Sequence, residues 1–166
     1  MRAPVLIALT VVAQTAAACA TVEPVAAPPA VVSAPPPTEN HDWFLGIEED
    51  QAGLDYGLEE SDDIWLSLSC RRSSGRLELS RPVGVGHPPA ITVESGGLIG
   101  TYSATSEPSE LHDGVFLTGE ARTRDPVFQR FRQTGWMFVI GPNYRDAMVP
   151  QPPSSPHIER FFAFCG

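Results

Sequence analysis

Residues 64–80 read IWLSLSCRRSSGRLELS, and this stretch decides the fold. Ile64, Leu66, Leu68 and Cys70 fall on every second position, with Trp65, Ser67 and Ser69 between them. A strand turns successive side chains to opposite faces, so the pattern predicts a half-buried strand whose inner face ends in a cysteine. Arg71 to Gly75 then supplies a polar turn containing glycine. From Arg76 to Ser80 the alternation resumes, with Leu77 and Leu79 inward. Two alternating runs joined by such a loop predict a β-hairpin.

Working outward, short apolar runs punctuated by Gly and Pro predict further strands at 43–48, 53–58, 90–94, 97–104, 114–121 and 136–140. Two short helices interrupt them. Asp125-Pro126 opens one, Val127, Phe128 and Phe131 form its apolar side, and Gly135 ends it. The other runs from an N-cap at Ser155 to Phe164, with Pro156 in its first turn. Ile158, Phe161, Phe162 and Cys165 lie at i, i+3, i+4 and i+7, one face of a helix. The expected fold is therefore mainly β, a small antiparallel sandwich or open barrel with two short helices. One domain over residues 40–166 is long enough for a proper core.

Three cysteines are present, Cys19, Cys70 and Cys165. Cys70 and Cys165 each end an apolar face that must be buried, so they are the expected disulfide, docking the C-terminal helix against the hairpin. In the chain-entropy model, closing so long a loop contributes up to about 4–5 kcal/mol. That leaves Cys19. It follows MRAPVLIALTVVAQTAAA, which has one arginine, an apolar run from Val5 to Val12, and small residues before the cysteine. Such a layout predicts a secretory signal over 1–18, too short to span a bilayer.

The stretch Ala16-Ala17-Ala18-Cys19 resembles the lipobox of bacterial envelope lipoproteins, with Ala16 where the usual box has leucine. That resemblance implies lipidation of Cys19 and, with Ala20 rather than aspartate next, an outer-membrane anchor facing the periplasm. Conventional cleavage after Ala16-Ala17-Ala18 or after Ala18-Cys19-Ala20 is the other reading. Residues 19–39 then form a linker, with prolines at 24, 28, 29, 35, 36 and 37. Proline fixes φ and lacks a donor, so this segment is expected to be an extended stalk.

Charge is unevenly spread. The net charge is −9, and no lysine occurs. Ten acids crowd between Glu39 and Asp63 without one arginine; beyond Ile64 nine acids face ten arginines. A nucleic-acid partner needs a basic face, and none is offered. The acidic stretch lacks the ligand pattern of a calcium loop, so it is expected to form surface strands whose charge protects an edge.

No catalytic, cofactor or metal motif is present. His41-Asp42 and His112-Asp113 read as surface turns. His157-Ile158-Glu159 lacks the cysteines that would make it a zinc site. Gly84-Val85-Gly86 runs into His87-Pro88-Pro89 and reads as a loop. The candidate binding residues are Trp65, on the outward side of its strand, and Arg76, expected near it; exposed Trp with Arg is a common interface composition. The alternative is that the 125–133 helix or a loop covers Trp65. The expected role is a non-enzymatic envelope module for a protein, peptide or cell-wall component. A hydrolase with a non-local histidine site, or a purely structural component, are the rival readings.

Overall fold

The hairpin forms where the alternation places it, in the middle of a nine-stranded antiparallel sheet. The computed structural model describes residues 33–109 and 113–166. The expected signal, Cys19, most of the linker and His112 lie outside the described residues. The strands are β1 (His41–Ile47), β2 (Gln51–Leu58), β3 (Ile64–Arg71), β4 (Arg76–Gly84), β5 (Ala90–Ser95), β6 (Leu98–Pro108), β7 (Gly114–Arg122), β8 (Met137–Gly141) and β9 (Tyr144–Met148). Helix α1 (Pro126–Thr134) precedes β8, and α2 (Ser155–Cys165) ends the chain after a 3-10 turn at Pro152–Ser154.

The strand order is β1-β2-β3-β4-β7-β6-β5-β8-β9. β6 makes the sheet curl. Its first part, Leu98–Ser103, pairs with β5, and its second, Ala104–Pro108, pairs with β7. One strand thus belongs to both halves, and the sheet becomes a nearly closed barrel. At the seam, residues flanking β1 and β9 bridge the two edge strands. The Thr38 hydroxyl donates to the Ala147 carbonyl at 3.3 Å, and Asp42 accepts the Gln151 N–H at 2.9 Å.

The two helices fill the concave side. Val127, Phe128 and Phe131 of α1, with Ile158, Phe161 and Phe162 of α2, join Trp43, Leu54, Leu66, Leu68, Leu77 and Leu79 in one core. Burying side chains of this size is worth roughly 1.5–3 kcal/mol each before entropy is charged. The reverse face of β8 carries a smaller cluster of Trp136, Phe138 and Val149.

Cys70 and Cys165 are bonded, with Cα atoms 5.7 Å apart. The bond is one part of a larger dock. Ser73 N–H donates to the Phe164 carbonyl and Gly75 N–H to the Cys165 carbonyl, each at 2.9 Å, and the Thr123 hydroxyl reaches the Gly166 carbonyl at 2.6 Å. The β3–β4 turn and Thr123 thereby cap carbonyls that the end of a helix leaves without partners.

Some expectations need correction. Ser155 is the first residue of α2; the cap position is Ser154. Asp125 does precede α1, but its carboxylate turns back to accept the Arg122 N–H at 3.0 Å and the Tyr102 hydroxyl at 3.2 Å. His41-Asp42 opens β1 rather than forming a turn. β4 runs on to Gly84, and β9 is a strand the sequence pattern did not reveal. No described helix is long and apolar enough to cross a membrane.

Candidate functional site

Trp65 and Arg76 do not share a surface. The β3–β4 register sets Ser67 against Ser80 and Ser69 against Glu78, which puts the two residues toward opposite ends of the hairpin. At about 3.3 Å per residue they are on the order of 20 Å apart. Trp65 is the extra residue of a β-bulge, because Tyr56 pairs with Leu66 and Gly57 with Ile64. It is half-buried. His41 of β1 stacks on it with centroids 4.4 Å apart, and its indole N–H donates to Asp63 at 3.1 Å. Arg76 is exposed and paired with Glu120 at 2.8 Å. It lines an open groove of about 650 Å³ on the outer face, with Gly46, Gly53, Ser69, Arg71, Glu78 and Glu120.

A different arginine is placed more unusually. In β4 the inward positions are Leu77, Leu79, Arg81 and Val83, all buried. Arg81 therefore carries a charge on the core face, with 8% of its side chain exposed. A buried charge is costly unless it is paired and hydrogen-bonded. Arg81 is incompletely served. Its Nη2 is 4.0 Å from Asp146 Oδ2, a side chain that itself remains 36% exposed. Its guanidinium carbon sits 5.0 Å from the centroid of the Tyr144 ring. Among the described residues, Nε and Nη1 have no hydrogen-bond partner, and neither atom touches solvent. Burial pulls the guanidinium pKa below its ordinary value, while Tyr144 and Asp146 oppose that.

Tyr144 links this arginine to a surface loop. It opens β9 after a two-residue turn from Gly141. Its ring lies across Gly141 so closely that a Cβ there would fall on it. Its hydroxyl is 2.9 Å from His87 Nε2. His87 Nδ1 lies 2.9 Å from the Pro88 carbonyl. A carbonyl only accepts, so Nδ1 carries a hydrogen toward Pro88, while Nε2 and the Tyr144 hydroxyl share the second hydrogen bond. Burial raises the Tyr144 pKa; Arg81 lowers it and Asp146 raises it. The loop turns at Gly84–His87, where His87 N–H donates to the Gly84 carbonyl at 3.3 Å, Gly86 has φ +85°, and Val85 at the tip is 81% exposed.

The chain thus stacks Arg81, Tyr144 and His87 from the core to the surface at one end of the barrel. Such an arrangement can hold a ligand's oxygen atoms against fixed N–H donors. The sequence carried one signal for it: Arg81 continues the every-second-position rhythm of Leu77 and Leu79. Pro82 hides that signal, because proline normally ends a strand.

His157 takes a structural place. His157 Nδ1 donates to the Trp43 carbonyl at 2.9 Å, on the edge of β1. Glu159 binds Arg132 through both its oxygens, at 2.5 and 2.7 Å, joining α2 to α1. Among the described residues no three His, Cys, Asp or Glu side chains gather as metal ligands. No protein-family model, no curated protein and no solved structure matches the chain.

Proposed function

We propose that this is an exported, lipid-anchored envelope protein whose barrel is a non-enzymatic binding module, with its ligand received at the Arg81 end. The export half rests on the signal-like segment and Cys19. Cys19→Ala should move the protein from the membrane to the soluble periplasmic fraction. Unchanged dependence on detergent would contradict the anchor.

The binding half is supported by one observation. Arg81 occupies a core position of β4 with Nε and Nη1 unpartnered among the described residues. A methionine would fill that place without the cost of desolvating a charge. Donors kept buried and unused in the free protein suit a group that arrives from outside.

The test is a photo-crosslinking amino acid at position 85, on the exposed tip of the loop above Tyr144. In intact cells it should yield an adduct that Arg81→Met abolishes. No adduct, or one indifferent to Arg81→Met, would overturn the reading.

A further inference from the structure

The geometry points to a gated carboxylate site: Arg81 takes a monocarboxylate ligand, Tyr144 covers it, and His87 latches the cover. This inference rests on the binding reading above and adds the ligand class and the gate.

The ligand class follows from the charges around the guanidinium. Nη2 faces Asp146, whereas Nε and Nη1 point to no partner among the described residues. Those donors require oxygen acceptors, and an arginine N–H bonds most strongly to an ionised one. One arginine beside one aspartate leaves little net positive charge for a dianion. The described β2–β3 connection adds Glu59, Glu60, Asp62 and Asp63 to the molecule's negative charge, which further disfavours a polyanion. A single carboxylate fits both conditions.

The gate follows from access. Nε and Nη1 are closed to solvent, so a ligand enters only if something moves. The ring against the guanidinium is Tyr144. It stands next to a two-residue turn, and among the described residues its side-chain hydrogen bond is the one to His87. His87 in turn belongs to a loop with glycine at Gly84 and Gly86, where a Cβ would meet nothing within 4 Å. Releasing His87 removes that bond and leaves the β8–β9 ladder in place.

Two substitutions open the gate by different routes. His87→Ala removes the latch. Gly141→Ala places a methyl group where the Tyr144 ring now lies, at a backbone conformation that any residue can adopt. Neither touches Arg81.

The experiment follows the Arg81 Nε–H resonance of the full chain while sodium acetate is added, with acetamide as the uncharged control of equal shape. Acetate should shift the resonance saturably, and acetamide should not. His87→Ala and Gly141→Ala should each lower the apparent dissociation constant about tenfold, because the closed population no longer taxes binding. Should one variant not fold, the other carries the comparison. A resonance unmoved by acetate in all three proteins, acetamide matching acetate, or gate variants that bind no tighter would overturn the inference. An Arg81-dependent crosslink at position 85 alongside such a failure would leave the binding site standing and reject the carboxylate class or the gate.

Discussion

Asp42 and Ser154, far apart in the chain, meet in a side-chain hydrogen bond at the barrel seam. The same carboxylate oxygen accepts the N–H groups of Trp43 at 2.8 Å and Gln151 at 2.9 Å. It therefore ties the start of β1 to the segment leading into α2, where no β1–β9 ladder does so. Ser154 is buried, and among the described residues the other acceptor for its hydroxyl is the Gln151 carbonyl at 3.0 Å.

Asp42→Ala should cost about 2–4 kcal/mol, since it orphans buried donors at a seam. Asp42→Asn keeps an acceptor oxygen and should cost less than half of that. Urea unfolding of the two variants decides it. Equal losses would mean that the carboxylate's charge, not its geometry, holds the seam.

Reducing the Cys70–Cys165 bond should lower stability by roughly 2–5 kcal/mol. The helix should stay docked, because Ser73, Gly75 and Thr123 still bind its terminal carbonyls and Phe161 and Phe162 stay in the core. The reduced unfolded chain is less restrained and exposes more surface, so the urea m value should rise as the midpoint falls. An unchanged midpoint under reductant would remove the bond from the stability account.

The chain has three tyrosines, and burial raises the pKa of each. For Tyr102 the adjacent Asp125 carboxylate raises it further. A phenol whose folded pKa lies above its unfolded value of about 10 adds stability that is complete below that pH and is lost as pH climbs through the folded value. Alkaline titration should therefore show no phenolate absorbance near pH ~10, then a cooperative rise coinciding with loss of far-ultraviolet signal. A gradual rise at ordinary tyrosine pH in the folded protein would contradict this.

Where the chain writes its structure as strict alternation, the sequence was legible. Leu66, Leu68 and Cys70, facing Leu77 and Leu79, need no context to read as a hairpin. The i, i+3, i+4, i+7 spacing to Cys165 likewise announced the helix and its bond. The surroundings of Trp65 are not legible in the sequence, because a bulge adds one residue to a strand without altering its composition. The structural trace of that bulge is Gly57, where a Cβ would collide with Asp63 and Ile64. β9 was missed because Arg145 and Asp146 interrupt the apolar pattern. Each has a partner that appears only in three dimensions: Glu94 for Arg145 at 2.8 Å, and Arg81 for Asp146 at 4.0 Å. Arg81 depended on both failures, since one of its neighbours lies on the unseen strand and its own strand continues through a proline.

The central claim is that Arg81 serves recognition and not the fold. Equilibrium unfolding of Arg81→Met tests it most directly. Asp146 reaches water, so losing its partner strands no buried charge, and the methionine fills the space. The variant should be at least as stable as the parent, by up to about 4 kcal/mol. A loss of about 3–5 kcal/mol, the size expected when a structural buried pair is broken, would show that Arg81 is a fold residue and contradict the account.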